Sequence, residues 1–196
     1  YGASNRLSSV NEGGSVVASY SYNASGQRVL KDAAGKSTVF HYNQSGQLIG
    51  ETLFQAGNVL EQRNYVWLDG MPLAMITDGK ISYLHSDNLN SPRVATNQDS
   101  ESVWQWHRNA YGEGLANEDA DSDGEMVKVR LRFPGQVFDG ESGKHYNYFR
   151  DYDSSLGRYI QSDPIGLFGG MNTFAYVGGN PVRRLDVYGM DWWDSI

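Results

Sequence analysis

The chain has 196 residues, 39% of them hydrophobic and 20% charged, with a formal net charge of −7. That balance excludes a disordered chain and argues against a nucleic-acid or anionic-membrane surface, and no run reaches the roughly 20 apolar residues of a membrane-spanning helix. Cysteine is absent, which removes disulfides, thiol catalysis and cysteine zinc sites and leaves the compartment open.

The unusual residues are 13 Tyr, 5 Trp and 23 Gly against 5 Pro. Tyr and Trp favour pleated surfaces and Gly punctuates turns, so the composition predicts β structure. The first residues, YGASNRLSSV, hold no starting Met, basic segment or apolar segment of a secretory signal. They begin inside a repeat, and the chain reads as a piece of a longer polypeptide.

Self-similarity organises the first half. YNASGQRV at 22–29 returns as YNQSGQLI at 42–49, and YGASNRLS at 1–8 fits the same frame one unit earlier. Tyr1, Tyr22 and Tyr42 set a period of 20 to 21 residues, with weaker echoes from Tyr65 and Tyr83. Within a unit, STVFHYN reads as a strand, Ser45-Gly46 as a turn and QLIGETLF as a second strand. One hairpin cannot bury its apolar face alone, so the units are expected to pair edge to edge in an antiparallel sheet, with no long amphipathic helix. The Tyr and Trp side chains are expected to pack across strands; no carboxylate-flanked cluster marks a sugar platform.

Farther on, Asp119, Asp121, Asp123 and Gly124 match the start of a calcium loop, but the twelfth position is Arg130 instead of Glu, and no helix pair flanks it. An acidic solvated loop is the better reading, weak calcium binding the lesser one, and no metal site is predicted. His41, His85, His107 and His145 sit singly, without metal-ligand spacing, and are expected to make structural hydrogen bonds. Near the end two similar pentads stand 23 positions apart: Asp163-Pro164-Ile165-Gly166-Leu167 and Asp186-Val187-Tyr188-Gly189-Met190. On spacing alone each reads as a turn whose Asp side chain bonds its own backbone.

From Tyr83 onward the text YLHSDNLNSPRVATN, then FPGQVFDGESGKHYNYFRDYDSSLGRYIQSDPIGLFGGMNTFAYVGGNP, resembles the RHS/YD-repeat family, in particular its terminal core; the upstream units resemble YD repeats. The resemblance implies an all-β fold: an antiparallel sheet of YD-repeat hairpins forming part of a hollow spiral shell, with a curled-in C-terminal plug. It divides the chain into shell hairpins (1–82), core with autoprotease plug (83–190) and the start of a variable toxin domain (191–196).

The function implied is encapsulation of that toxin domain and its release inside the shell by an aspartic self-cleavage, without metal or organic cofactor. Asp163 and Asp186 are the implied catalytic pair, with Arg150 close by and Arg158 as a second basic candidate; the cut falls between Met190 and Asp191. The first pentad keeps the family's DPxGL, whereas the second has Val187 for Pro and Met190 for Leu. Two adjacent carboxyls that share a proton supply one base and one acid, which is what peptide hydrolysis needs. The implied partners are the rest of the shell, the enclosed toxin and a delivery component, either a Tc B-type subunit or a secretion-system spike, in a protein made in the cytoplasm and then secreted or delivered. The rival expectation is a non-catalytic YD-repeat adhesion module binding carbohydrate or protein.

Overall fold

The computed structural model describes residues 1, 2 and 5–190, with the backbone of Trp193 and Asp194. Strands β1 (Ser9–Glu12), β2 (Ser15–Tyr22), β3 (Arg28–Ala33), β4 (Lys36–Tyr42), β5 (Leu48–Gln55), β6 (Asn58–Leu68), β7 (Met71–Thr77), β8 (Lys80–Ser86), β9 (Pro92–Thr96), β10 (Ser102–Trp106) and β11 (Ala116–Asn117) pair in sequence order. They form one open antiparallel sheet of 11 strands. A second sheet holds β12 (Val137–Asp139), β13 (Lys144–Asn147), β14 (Arg150–Asp153) and β15 (Arg158–Tyr159). The backbone of β16 (Arg184–Leu185) pairs with that of β17 (Trp193–Asp194). Among the described residues the only helical pieces are two 3-10 turns, Gly166–Gly169 and Val177–Gly179.

The repeated YNxSGQ text has a local cause. At one end of the sheet the chain turns through a five-residue loop, in which the Asn43 N–H bonds the Gln47 carbonyl (3.0 Å) and the Gly46 N–H bonds the Asn43 carbonyl (3.0 Å). The Asn43 side-chain oxygen accepts from Ser45 N and Gln47 N, while its amide donates to Gln47 Oε1. The same backbone loop recurs from Asn23, Asp87, Asn97 and Asn109, so the weak echo at Tyr83 is a genuine unit. At the other end, two-residue turns such as Ala34-Gly35 and Asp69-Gly70 have positive φ at both positions, the conformation that suits a tight hairpin.

Each repeat is also tied to the one before. Tyr22 OH donates to Leu7 O, Tyr42 OH to Arg28 O, and Trp67 Nε1 to Leu48 O, each at 2.9 Å. One face of the sheet buries Phe40, Leu48, Tyr65, Met75, Leu84, Trp104 and Trp106 against Val129, Leu131, Val137 and Tyr146 of the following segment. The aromatic residues therefore pack, as the sequence led us to expect. Burial of this apolar surface drives the second sheet onto the first.

Charges fix the docking. Buried Arg28 of β3 reaches Asp139 (2.9 Å) and Asp151 (3.1 Å), its guanidinium between the rings of Tyr20 and Tyr146; Lys31 adds Glu141 at 2.7 Å. Strand β8 runs through the expected boundary at 82/83, so the sheet is continuous there. A second apolar cluster joins Tyr152 and Tyr159 of the second sheet to Leu89, Phe133, Tyr176 and Val177.

Candidate functional site

The site grows from the hairpin of β13 and β14, where Asn147 pairs with Arg150 across the turn Tyr148-Phe149. Tyr148 has φ +50°, a left-handed conformation that costs a bulky residue energy and persists only where the surroundings enforce it. Three contacts do so. Its hydroxyl donates to Ser25 O (3.0 Å), its carbonyl accepts from the Arg6 guanidinium, and its ring packs beside Gly46. Two repeat turns thus hold the hairpin tip. The tip in turn holds the second pentad: Phe149 N–H bonds Tyr188 O (3.1 Å), and Tyr188 OH reaches Ser45 O (3.3 Å).

Arg150 is buried and reaches into this corner. Its Nη2 lies 2.9 Å from Asp163 Oδ2 and 3.1 Å from Asp186 Oδ2, so one nitrogen serves both carboxylates. Nε donates to Gly189 O (2.6 Å) and Nη1 to Thr173 O (3.1 Å), while the guanidinium stacks 3.6 Å from the Tyr159 ring centroid. The residues expected as a catalytic pair and its arginine are brought together. The fit is tight because Gly189 allows it: its φ is +68°, and a Cβ there would sit 2.4 Å from Asn147 O.

In both pentads the Asp side chain caps its own turn, over two residues in the first and four in the second. Asp163 Oδ1 accepts from Ile165 N (3.0 Å), and Asp186 Oδ1 accepts from Met190 N (3.1 Å). Each therefore uses one oxygen to cap its own turn and turns the other to Arg150. A Cβ on Gly169 would lie 2.6 Å from Asp163 Oδ2 and 3.2 Å from Met190 O; the Asp163 carboxyl and the Met190 carbonyl thus both border Gly169. Asp191, the other side of the expected cut, lies outside the described residues.

Burial pushes the Asp186 carboxyl above its usual range, against the opposing pull of Tyr159, Arg150 and the Met190 and Gly189 amides. Tyr159 OH donates to Asp186 Oδ2 (2.8 Å), and Asn147 Nδ2 donates both to Tyr159 OH (2.6 Å) and to Asp186 O (2.9 Å). Buried beside that carboxylate, Tyr159 ionises well above its ordinary range and stays a donor.

Arg158 does not join. It is exposed and stacks on Phe174 at 5.4 Å. Neighbouring residues of a strand face opposite sides, so the side that buries Tyr159 sends Arg158 outward. That alternation was the available signal for Tyr159, which the sequence reading passed over together with Asn147.

The other expected sites are simpler. One carboxylate oxygen from each of Asp119, Asp121 and Asp123 lies within 4.8 Å of the others. Arg130, at the position where a calcium loop needs Glu, pairs with Glu51 at 3.0 Å. The histidines make structural bonds: His41 with Thr52, His85 with Thr96, His107 with Gln105 and His145 with Gln136.

No family model matches the chain. It is 37% identical over 111 residues to the double-stranded DNA deaminase toxin A of Burkholderia cenocepacia (strain H111), covering 57% of this chain and 8% of that protein. Over 179 residues it is 30% identical to the probable deoxyribonuclease RhsA of Dickeya dadantii (strain 3937), covering 87% of this chain and 12% of that protein. Among solved structures it superposes on TcdB2-TccC3-TEV with a TM-score of 0.74 at 21% identity, over 97% of this chain and 10% of that one. The chain belongs to the RHS-associated core family. The RHS core spans only about a tenth of each of these three proteins, and its likeness to the solved structure is one of fold.

Proposed function

We propose that this chain is the terminal part of an RHS toxin-enclosing shell and that it cuts itself once, after Met190. In this reading residues 1–82 belong to the shell hairpins, 83–190 to the core that carries the cut and 191–196 to the beginning of the enclosed toxin domain. The toxin and nuclease names of the relatives support the context, and the fold likeness to TcdB2-TccC3 supports a shell that works with a Tc B-type or equivalent delivery partner.

The observation that carries the reading is the shared guanidinium nitrogen: Asp163 and Asp186 meet on Arg150 Nη2, with the Met190 amide on Asp186 and the Met190 carbonyl and the Asp163 carboxyl both bordering Gly169. In this reading one of the two buried carboxyls is ionised and the other carries a proton, which supplies one base and one acid. The ionised member takes a proton from water as its oxygen adds to the Met190 carbonyl carbon; the protonated member hydrogen-bonds the carbonyl oxygen. Collapse breaks the C–N bond to Asp191, whose nitrogen takes the proton that the base carboxylate accepted from water, leaving a Met190 carboxyl group and a new N-terminus. Arg150 holds charge in place throughout. Because bond and acids share one chain, proximity supplies much of the rate.

Cleavage would separate the segment that begins at Asp191 from the chain that ends at Met190, visible by intact mass and chromatography. The reading predicts release from the wild-type chain and none from Asp163→Asn or Asp186→Asn. Release that persists in both variants removes these acids from the chemistry. No release from the wild type at any pH leaves a shell or adhesion module in which the pentads are turns alone.

A further inference from the structure

We propose that Tyr159, locked by Asn147, is a positioning residue of this site: it presents its hydroxyl proton to Asp186 Oδ2 and thereby sets the pH range in which the acid pair works. The inference rests on the reading of Asp163 and Asp186 as a cleaving pair.

The direction of the Tyr159 proton follows from the hydrogen bonds. Asn147 Nδ2 can only donate, so at 2.6 Å the Tyr159 oxygen is its acceptor. The hydroxyl proton must then go elsewhere, and Asp186 Oδ2 at 2.8 Å receives it. Asn147 cannot swing away, because the same amide also holds Asp186 O at 2.9 Å. Asn147 and Tyr159 are both fully buried, so water does not substitute for either. Asp186 Oδ2 therefore takes two donors, Tyr159 OH and Arg150 Nη2, while Oδ1 takes the Met190 amide. Three donors from three segments favour the ionised form and fix the plane of the carboxyl against the chain it caps.

The charged and titratable groups facing Asp186 are Arg150 from β14, Tyr159 from β15, Asp163 from the following loop, and Tyr176 ahead of the second 3-10 turn. Two of these groups, Tyr159 and Tyr176, are neutral, and of the two it is Tyr159 whose hydroxyl donates to the Asp186 carboxylate. Tyr159→Phe deletes a donor to the carboxylate and keeps the ring under Arg150.

The test measures release of the segment beyond Met190 against pH, together with the carbon-13 titration of the Asp186 carboxyl, in wild type and Tyr159→Phe. Losing a hydrogen bond to the ionised form raises the apparent pKa of the pair, so both curves are expected to move upward by about one pH unit. Tyr152→Phe is the control. Tyr152 is also fully buried, but its hydroxyl bonds the Tyr111 carbonyl at 2.6 Å, so its loss leaves both curves in place. If Tyr159→Phe slows release without moving either curve, the tyrosine is packing alone and the proposal fails while the cleavage reading stands. A wild-type chain that never separates after Met190 overturns the cleavage reading and the positioning role with it.

Discussion

The two pentad glycines provide a test in which no chemical group of the site is altered. Gly166 and Gly189 hold the same place in their pentads and nearly the same φ, +63° and +68°. They differ in surroundings. A Cβ on Gly166 meets nothing within 4 Å among the described residues, whereas one on Gly189 would stand 2.4 Å from Asn147 O and 3.2 Å from Arg150 N. Both neighbours are backbone of the β13–β14 hairpin, which cannot yield without breaking its pairing. Gly166→Ala should therefore cost only the left-handed conformation, about 1–2 kcal/mol, or a fall of roughly 5 °C in melting temperature for a chain of this size. Gly189→Ala adds a backbone clash that must push the second pentad off Arg150. A displacement of about 1 Å at a reacting centre costs on the order of 100-fold in rate, so cleavage after Met190 should nearly stop in Gly189→Ala and stay within a few-fold of wild type in Gly166→Ala. Melting curves and release rates on both variants decide it. Equal loss in the two, or wild-type release from Gly189→Ala, would show that the close approach does not position the cut.

Three further outcomes follow from the buried charges. His145 is held well below its usual range by burial and by Arg132; the folded state refuses a proton that the unfolded chain takes near pH 6.5. Its contribution is present above that pH and is lost on acidification at about 1.4 kcal/mol per unit, so His145→Gln should flatten the urea-melt stability profile below pH 6.5. Arg28→Met would leave Asp139 and Asp151 buried without their guanidinium, with a loss of about 3–5 kcal/mol at pH 7. Burial alone would raise Asp139, but Glu141, Arg28 and Lys31 outweigh it and bring it to about 2. That stabilisation exists above the usual carboxylate range and fades as pH falls toward 2, so the acid limb of a urea series should be shallower in Arg28→Met. Calcium or a chelator should leave the melting temperature unchanged, since Arg130 occupies the position of the bidentate ligand and is paired with Glu51; a calcium-dependent rise would restore the loop as a metal site.

What the sequence revealed followed the range of the interaction. The hairpins were readable because their signals are local: Asn43 and Gln47 bond each other four residues apart, and Ser45-Gly46 marks the bend. The aromatic anchors were visible as residues, but Tyr42 reaching the Arg28 carbonyl depends on which hairpins pair. Asp163, Asp186 and Arg150 came from the likeness of a long stretch of text to a family, not from spacing. Nothing local indicates that Arg150 will offer one nitrogen to acids 13 and 36 residues away. Tyr148 was the least legible: its left-handed backbone is enforced by Arg6 and Ser25, more than 120 positions upstream.

The pentads also show why reading them as turns and reading them as a catalytic pair do not compete. In each, Oδ1 caps the local turn and Oδ2 faces Arg150. An amide keeps the first task and loses the second, because its carbonyl oxygen still accepts from Ile165 or Met190 while its charge is gone. Alanine loses both. Replacing either Asp by Asn leaves Arg150 one remaining carboxylate, so the guanidinium is not stranded. Asp163→Asn and Asp186→Asn should therefore melt close to wild type and fail to cleave, whereas the Ala variants should fail to cleave and also lose about 1 kcal/mol or more for the missing cap. Were Asn and Ala variants to melt alike, the Oδ1 bonds would contribute nothing to the fold, and the likeness of the two pentads would have to be explained by the cut alone.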